Sequence, residues 1–242
     1  MAHRGNALEY PENTLPAFSS ALDLGVRFVE FDVQLSKDGI PVVIHDHLLA
    51  RTTGLPGSVF DHDAAELSRM EAAETQRFGE RYRGVHIPLL RDALTILKGH
   101  PEITLFVELK RASLRQFGHD HVVSQVLEVI KPWRTQCVLI SFDLVAIHRS
   151  RALAEAPIGW VLGEYDEHTR LKCEALQPQF LFCDHSKLPA AGRLWQGPWR
   201  WCIYEVAALP LALALAARGA DYVETMAVRE LSGALRDLSA GQ

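Results

Sequence analysis

Two hydrophobic rhythms alternate along the chain. The clearest stretch of the first is Phe28-Val29-Glu30-Phe31-Asp32-Val33. In an extended strand, alternate side chains share a face. Val29, Phe31, Val33 and Leu35 therefore face one way, and Glu30 and Asp32 the other. The second rhythm is helical. Leu15, Phe18, Leu22 and Leu24 form a stripe between Thr14, an N-cap type, and Gly25, a stop signal, with Pro16 in the first turn.

From residue 88 the two rhythms take turns. Helices are predicted over 90–99, 119–131, 144–155, 167–175, 187–194, 206–218 and 227–238. Strands are predicted over 103–109, 136–141, 158–163, 179–184, 200–204 and 221–224. Strands at 1–4 and 27–33 bring the total to eight, each followed by a helix or a helix-bearing segment. That pattern predicts an α/β fold, a (β/α)8 TIM barrel, for which ~250 residues is typical. An open doubly wound sheet is the alternative, but no Gly-rich phosphate loop follows any strand.

One strand is extra to the barrel. Pro41-Val42-Val43-Ile44-His45-Asp46 follows strand 27–33 across Asp38-Gly39, a hairpin signal. A parallel neighbour would need a crossover of a dozen residues or more, so 40–46 should return antiparallel. With Asp38 and Gly39 as the two central turn residues, His45 falls opposite Asp32; a bulge would shift it by one residue. Residues 47–88 read as an insertion over the face where the hairpin lies, with one helix over 61–73. The whole chain, 1–242, reads as one barrel domain.

Composition narrows the class. The 242 residues are 48% hydrophobic and 23% charged, an ordinary globular balance. A net charge of −5 argues against nucleic-acid binding. Cys137, Cys173, Cys183 and Cys202 form no metal-ligand spacing and read as small buried residues in a reducing compartment. No secretory signal is visible, so the expected location is cytoplasmic. The longest apolar run, Val206 to Ala217, contains Pro210 and falls short of the ~20 residues a bilayer needs. It reads as a buried helix, and no stable membrane insertion is expected.

In such a barrel the active site lies at the C-terminal ends of the strands. His3 and Arg4 end the first strand, Glu30 and Asp32 the second, and Glu108 and Lys110 the third. A Glu108–Lys110 salt bridge would explain two of these groups. It leaves two further carboxylates and two histidines unexplained. Three carboxylates without cysteine suit a hard divalent cation, Mg2+ or Ca2+, rather than zinc. Arg4 and Lys110 beside it suit phosphate oxygens. His3 and His45 can then take and give protons across the site. His119-Asp120-His121 repeats the letters of His45-Asp46-His47, but it opens a helix, where Asp is explained by capping. Trp201, read as facing inward, is a candidate wall of the pocket, with plain packing as the alternative.

An ordered set of motifs then becomes legible. It runs His3-Arg4-Gly5, Pro11-Glu12-Asn13-Thr14, Glu30-Phe31-Asp32-Val33, Asp38-Gly39, His45-Asp46, Arg51-Thr52-Thr53-Gly54, Ile87-Pro88-Leu89-Leu90, Glu108-Leu109-Lys110 and Ser141-Phe142. In this the chain resembles the glycerophosphodiester phosphodiesterases, well from residue 2 to about 142 and weakly beyond. The resemblance implies metal-dependent hydrolysis of a small-molecule glycerophosphodiester to glycerol 3-phosphate and an alcohol. It implies Glu30, Asp32 and Glu108 as metal ligands, His3 and His45 as acid and base, and Arg4 and Lys110 as phosphate contacts. It further implies attack by the substrate's own 2-hydroxyl, through a cyclic 1,2-phosphate.

Three departures stand out. Only two residues precede His3, which predicts a trimmed start or a poorly anchored first strand. Trp201-Cys202-Ile203-Tyr204 lacks the family's Asn, and Asp221-Tyr222-Val223-Glu224-Thr225 lacks its Thr-Asp ending. The rival expectations are a lysophospholipase D-type enzyme, with an acyl groove built from 47–88, and an inactive barrel used as a binding module.

Overall fold

The structure, a computed structural model, describes residues 1–154 and 156–240. Among the described residues nine strands form one sheet: β1 (Ala2–His3), β2 (Phe28–Leu35), β3 (Pro41–Val43), β4 (Thr104–Leu109), β5 (Cys137–Ser141), β6 (Ile158–Val161), β7 (Phe180–Asp184), β8 (Arg200–Tyr204) and β9 (Tyr222–Val223). The parallel order is β1-β2-β4-β5-β6-β7-β8-β9, and β3 pairs antiparallel with β2 off this path. A parallel bridge from Ala2 to Thr225 joins the first stave to the last, so the eight parallel staves curl into the expected (β/α)8 barrel.

Strand alternation separates two cores. Val29, Phe31, Leu105, Val107 and Leu139 face outward and pack on helices, among them Val122 and Val126. Ile158, Leu181, Trp201 and Ile203 do the same on the far half of the barrel. Phe106, Val138, Ile140, Val161, Phe182 and Cys202 fill the interior. Phe106 meets Phe180 and Phe182 edge-on, with ring centroids 4.9 and 5.5 Å apart, a favoured aromatic geometry. The filled interior leaves only the strand ends for chemistry.

The two-residue β1 is firmly held. Ala2 is fully buried and pairs with Val29, and His3 pairs with Glu30. His3 N–H donates to the Thr225 carbonyl (3.0 Å), and Thr225 N–H to that of Met1 (3.1 Å). The expectation of a poorly anchored strand is therefore overturned: hydrogen bonds to both neighbours replace length. Gly5 follows at φ 81°, against helix Leu15–Asp23. A Cβ there would lie 2.7 Å from the Ala17 carbonyl carbon, so only glycine fits.

The hairpin register differs by one residue from the two-residue turn. Val33 pairs with Val43 and Leu35 with Pro41. Three residues, Lys37 to Gly39, span the loop: Ser36 N–H donates to Ile40 O (3.0 Å), Gly39 N–H to Ser36 O (2.9 Å), and Gly39 takes φ 77°. A three-residue loop closed by a left-handed glycine adds the extra residue. Ile44, not His45, donates its N–H to Asp32 O (3.0 Å).

Other helices change length. The single helix expected over 61–73 is two short turns, because two capping boxes sit too close together. Ser58 with Asp61 caps Val59–Asp61, and Asp63 with Glu66 caps Ala64–Leu67. Residues 70–72 instead pair with 85–87 through Ala72 N–H to Val85 O and Ile87 N–H to Met70 O. Val42, Leu49, Val59, Leu67 and Ile87 give residues 47–88 a small core of their own, under β3.

No helix forms over 187–194. A short turn at His185–Lys187 ends before Pro189, and Arg218 holds the carbonyls of Pro189 and Gly192, both at 2.8 Å. A helix not foreseen spans Arg111–Phe117. The apolar run 206–217 forms helix Leu209–Ala217, with Ala212 and Leu215 buried but Leu213 43% exposed. It is half-buried rather than buried, since a barrel helix packs one face only. Residue 155, the expected end of helix 144–155, and residues 241–242 of the expected domain lie outside the described residues. Among the described residues, no helix is long and apolar enough to cross a membrane.

Candidate active site

Parallel register brings the polar residues together. His3 pairs with Glu30, and Asp32 pairs with Glu108. Residues paired in register share a face, so three staves place one histidine and three carboxylates on the same inner rim. Oxygens of Glu30, Asp32 and Glu108 lie within 4.8 Å of one another. Glu30 and Asp32 are 2% and 0% exposed.

The cluster holds its own counter-charges. Lys110 Nζ lies 3.0 Å from Asp32 Oδ1 and 2.9 Å from Glu108 Oε1. Arg4 Nε lies 3.2 Å from Asp32 Oδ2, and Arg4 N–H donates to Glu30 Oε2 (3.2 Å). Asn13 completes the cradle: its Nδ2 donates to Asp32 Oδ2 (2.8 Å), and its Oδ1 accepts Asp32 N–H (3.2 Å). Arg4 and Asn13 both take φ 57°, a left-handed conformation that costs non-glycine residues energy and that this bonding holds in place.

Each titration follows from these neighbours. Burial favours neutral Asp32, but Lys110, Arg4 and His45 outweigh it and hold its pKa far below the usual carboxylate range. Burial, then repulsion by Asp32, Glu224 and Glu108, pushes Glu30 well above its ordinary 4.5. Burial opposes charge on Arg4 and Lys110, yet the surrounding carboxylates raise both pKa values. Glu30 Oε1 is buried with no hydrogen-bond partner among the described residues. A strained carboxylate with an oxygen unspent, beside two more carboxylates, fits a hard divalent cation.

Both histidines are tied by Nδ1. His3 Nδ1 lies 2.6 Å from Glu205 Oε2, and Glu205 Oε1 accepts Met226 N–H at 2.7 Å. His45 Nδ1 lies 2.6 Å from Asp46 Oδ1. Burial alone would lower the His3 pKa; Glu224 and Glu205 outweigh it and raise it. Glu224, 2% exposed, lies within ligand distance of His3 and Glu30, and burial pushes its own pKa up to about 7.

These groups open on one cavity of about 320 Å³. His3, Arg4, Glu30, His45, Glu108 and Lys110 line one side. Ile140, Phe142, Val161, Phe182 and Tyr204 line the other, with Asp184 and Lys187 beside them. Asp32 is not among the lining residues, although its carboxylate belongs to the acidic cluster. Trp201 is not brought to the cavity, which corrects its inward assignment. Alternation on β8 sends Cys202 and Tyr204 inward and Trp201 outward, where its Nε1 donates to Trp195 O (2.9 Å).

Glu205, Glu224, Asp46, Arg51 and Glu12 have no role in the sequence-based expectations. Glu205, Glu224, Asp46 and Glu12 meet His3, His45 or Arg4, and Arg51 reaches them through Asp46 and Glu12. Glu224 was within reach, since it continues the inward alternation of Tyr222. The Glu12–Arg51 contact joins residues 39 apart and leaves no local signal.

Fold and site together define a (β/α)8 barrel whose strand ends join an acidic, cation-shaped cluster to two basic residues and two histidines. A sequence profile of the glycerophosphoryl diester phosphodiesterase family matches residues 3–188, and the chain belongs to that family. A glycerophosphodiester phosphodiesterase of Bacillus altitudinis is 41% identical over 127 residues, 52% of this chain and 51% of its own. One from Caldanaerobacter subterraneus is 32% identical over 156 residues, 64% of this chain and 62% of its own. The match thus spans less than two thirds of either relative. Among solved structures, an Oleispira antarctica phosphodiesterase in complex with the product sn-glycerol-3-phosphate superposes with a TM-score of 0.85. It is 28% identical, and the superposition covers 97% of this chain and 95% of that one.

Proposed function

We propose that this protein hydrolyses glycerophosphodiesters to glycerol 3-phosphate and an alcohol, with residues 1–242 acting as one catalytic barrel. The observation that carries this is the cavity itself. Two histidines tied through Nδ1 face it, beside a three-carboxylate cluster and the cations Arg4 and Lys110. The Oleispira relative binds sn-glycerol-3-phosphate, and the basic residues Arg4 and Lys110 that line this chain's cavity suit an anion of that kind. A divalent cation, Mg2+ or Ca2+, held by Glu30, Asp32 and Glu108 would supply Lewis-acid polarisation of the phosphoryl group and offset its charge.

The chain's own residues account for the rest. Arg4 and Lys110 orient the phosphodiester. Among the lining residues no serine, threonine or cysteine is placed as a nucleophile, which leaves substrate or water to attack. One histidine accepts the proton of the substrate's 2-hydroxyl through Nε2 as that oxygen bonds to phosphorus. The other gives its Nε2 proton to the departing alkoxide, which leaves as the alcohol. The product of this step is a cyclic 1,2-phosphate. Water then opens the ring with the two histidines in exchanged roles, and both return to their starting states. Glu205 and Asp46 keep each Nε2 turned to the cavity and stabilise the imidazolium that forms, as orienting carboxylates do.

The test is a coupled glycerol 3-phosphate assay over glycerophosphocholine, glycerophosphoethanolamine, glycerophosphoglycerol and lysolipids. His3→Ala and His45→Ala should each abolish turnover of the glycerophospho-alcohols with the fold intact by circular dichroism. Normal turnover by either variant sinks the acid–base assignment. Hydrolysis of lysolipids alone would favour the lysophospholipase D reading, and no hydrolysis of any substrate would favour the binding module.

A further inference from the structure

Residue 51 lies outside the cavity wall, on the short helix Ala50–Thr53 of the inserted segment. Its side chain is 44% exposed, so burial does not explain its fixed placement. Directional bonds do. Nε donates to Asp46 Oδ2 at 2.5 Å. The two terminal nitrogens donate to Glu12, at 2.9 Å to Oε2 and 2.7 Å to Oε1. This is the paired fork geometry that arginine makes and lysine cannot.

Both carboxylates lead on into the active site. The other oxygen of Asp46 holds His45 Nδ1. An ionised carboxylate only accepts, so this contact fixes the proton on Nδ1 and leaves Nε2 free. Burial works against the charge on Asp46, and the bonds from Arg51 and His45 outweigh it. Glu12, a buried side chain, accepts Arg4 Nη1 at 3.1 and 3.2 Å. An unbroken chain therefore runs His45–Asp46–Arg51–Glu12–Arg4. Its Glu12 end is anchored independently: Glu12 N–H donates to Glu74 Oε1 (2.6 Å), and Arg77 joins Glu74 Oε2 (2.5 Å) to Ala7 O (2.7 Å).

We propose that Arg51 is a positioning residue, the link that holds the acid–base imidazole of His45 and the anion-binding guanidinium of Arg4 in one rigid frame. This rests on the phosphodiesterase reading of the cavity. His45 and Asp46 are each about a third exposed and sit past the end of β3, so packing alone does not fix them. Without Arg51, Asp46 loses the bond to its second oxygen and is free to rotate with His45. Misplacement of a reacting group by about 1 Å costs on the order of 100-fold in rate.

The experiment uses the full chain loaded with Mg2+ or Ca2+ and compares wild type, Arg51→Ala and Arg51→Lys. The frame predicts that kcat falls about 10- to 100-fold in both variants. Added guanidinium ion should restore part of kcat in Arg51→Ala, because the site is open to solvent. It should not restore Arg51→Lys, whose side chain fills the space. A structural role alone would not respond to guanidinium. In parallel, 15N NMR of the His45 ring should show the Nδ1–H tautomer in wild type and a mixture in Arg51→Ala. Wild-type kcat in Arg51→Ala, or a loss that tracks melting temperature and ignores guanidinium, overturns the frame. Unaltered His45 shifts in an active enzyme overturn it alone. A wild type inactive on every glycerophosphodiester, with His45 shifts that still change in Arg51→Ala, sinks the phosphodiesterase reading and leaves the frame supported.

Discussion

Glu30→Gln isolates the electrostatic strain on which the proposed metal site depends. Glu30 is buried with oxygens of Asp32 and Glu108 within 4.8 Å. At an effective dielectric of about 20, each such like-charge pair costs roughly 3 kcal/mol. Arg4 and Lys110 offset part of this, leaving a net cost on the order of 2 kcal/mol. The sign follows from linkage. A carboxyl whose folded pKa is raised above its unfolded value binds more protons when folded, so folding stability falls as pH climbs from about 4.5 through the folded pKa. Without a cation near pH 8, glutamine should therefore raise the melting temperature, by roughly 4–8 °C at 2–4 °C per kcal/mol. With a cation at about 100 times its Kd, wild type should gain about 2.7 kcal/mol, roughly 5–10 °C, and the variant far less. Differential scanning fluorimetry in EDTA and then in saturating Mg2+ or Ca2+ reads both effects. A variant less stable than wild type in EDTA, or one that gains as much from the cation, would show that Glu30 carries no such strain.

Two further substitutions test the cradle and the correction on β8. Asn13→Ala strips both bonds to Asp32 and leaves a left-handed alanine, so it should cost about 1–3 kcal/mol for the orphaned groups and about 1 more for the backbone. Chemical denaturation measures the total, and Asn13→Gly, which relieves only the backbone, should recover only that smaller part. Trp201→Phe removes a buried indole and its bond to Trp195 O, so it should lower stability by about 1–3 kcal/mol while kcat/KM stays within twofold. A tenfold loss of kcat/KM would return Trp201 to the pocket.

The sequence exposed the features that repeat along the backbone and hid those set by distant contacts. Period-two alternation in Phe28 to Leu35 and Leu105 to Leu109 decided which residues face the barrel axis, and therefore which carboxylates meet. It failed on β8, where Trp201, Cys202 and Ile203 are all apolar and give no parity; only the paired strands show Cys202 inward. The hairpin was legible but not its register, because Asp38-Gly39 serves two-residue and three-residue loops alike. The helix over 61–73 failed because local capping by Ser58 and Asp63 competed with the apolar stripe and won. The support around the histidines was invisible for a different reason. Glu205 meets His3 across 202 residues and Glu12 meets Arg51 across 39, and neither spacing nor periodicity encodes such pairs.

The most direct measurement is glycerol 3-phosphate release from glycerophosphocholine by wild-type protein stripped with EDTA and then given Mg2+ or Ca2+. The stripped protein should release none, and one of the two cations should restore full release. Glu30→Gln treated in the same way should show no recovery. Undiminished release after stripping, or equal recovery in wild type and variant, would rule out a cation held at Glu30.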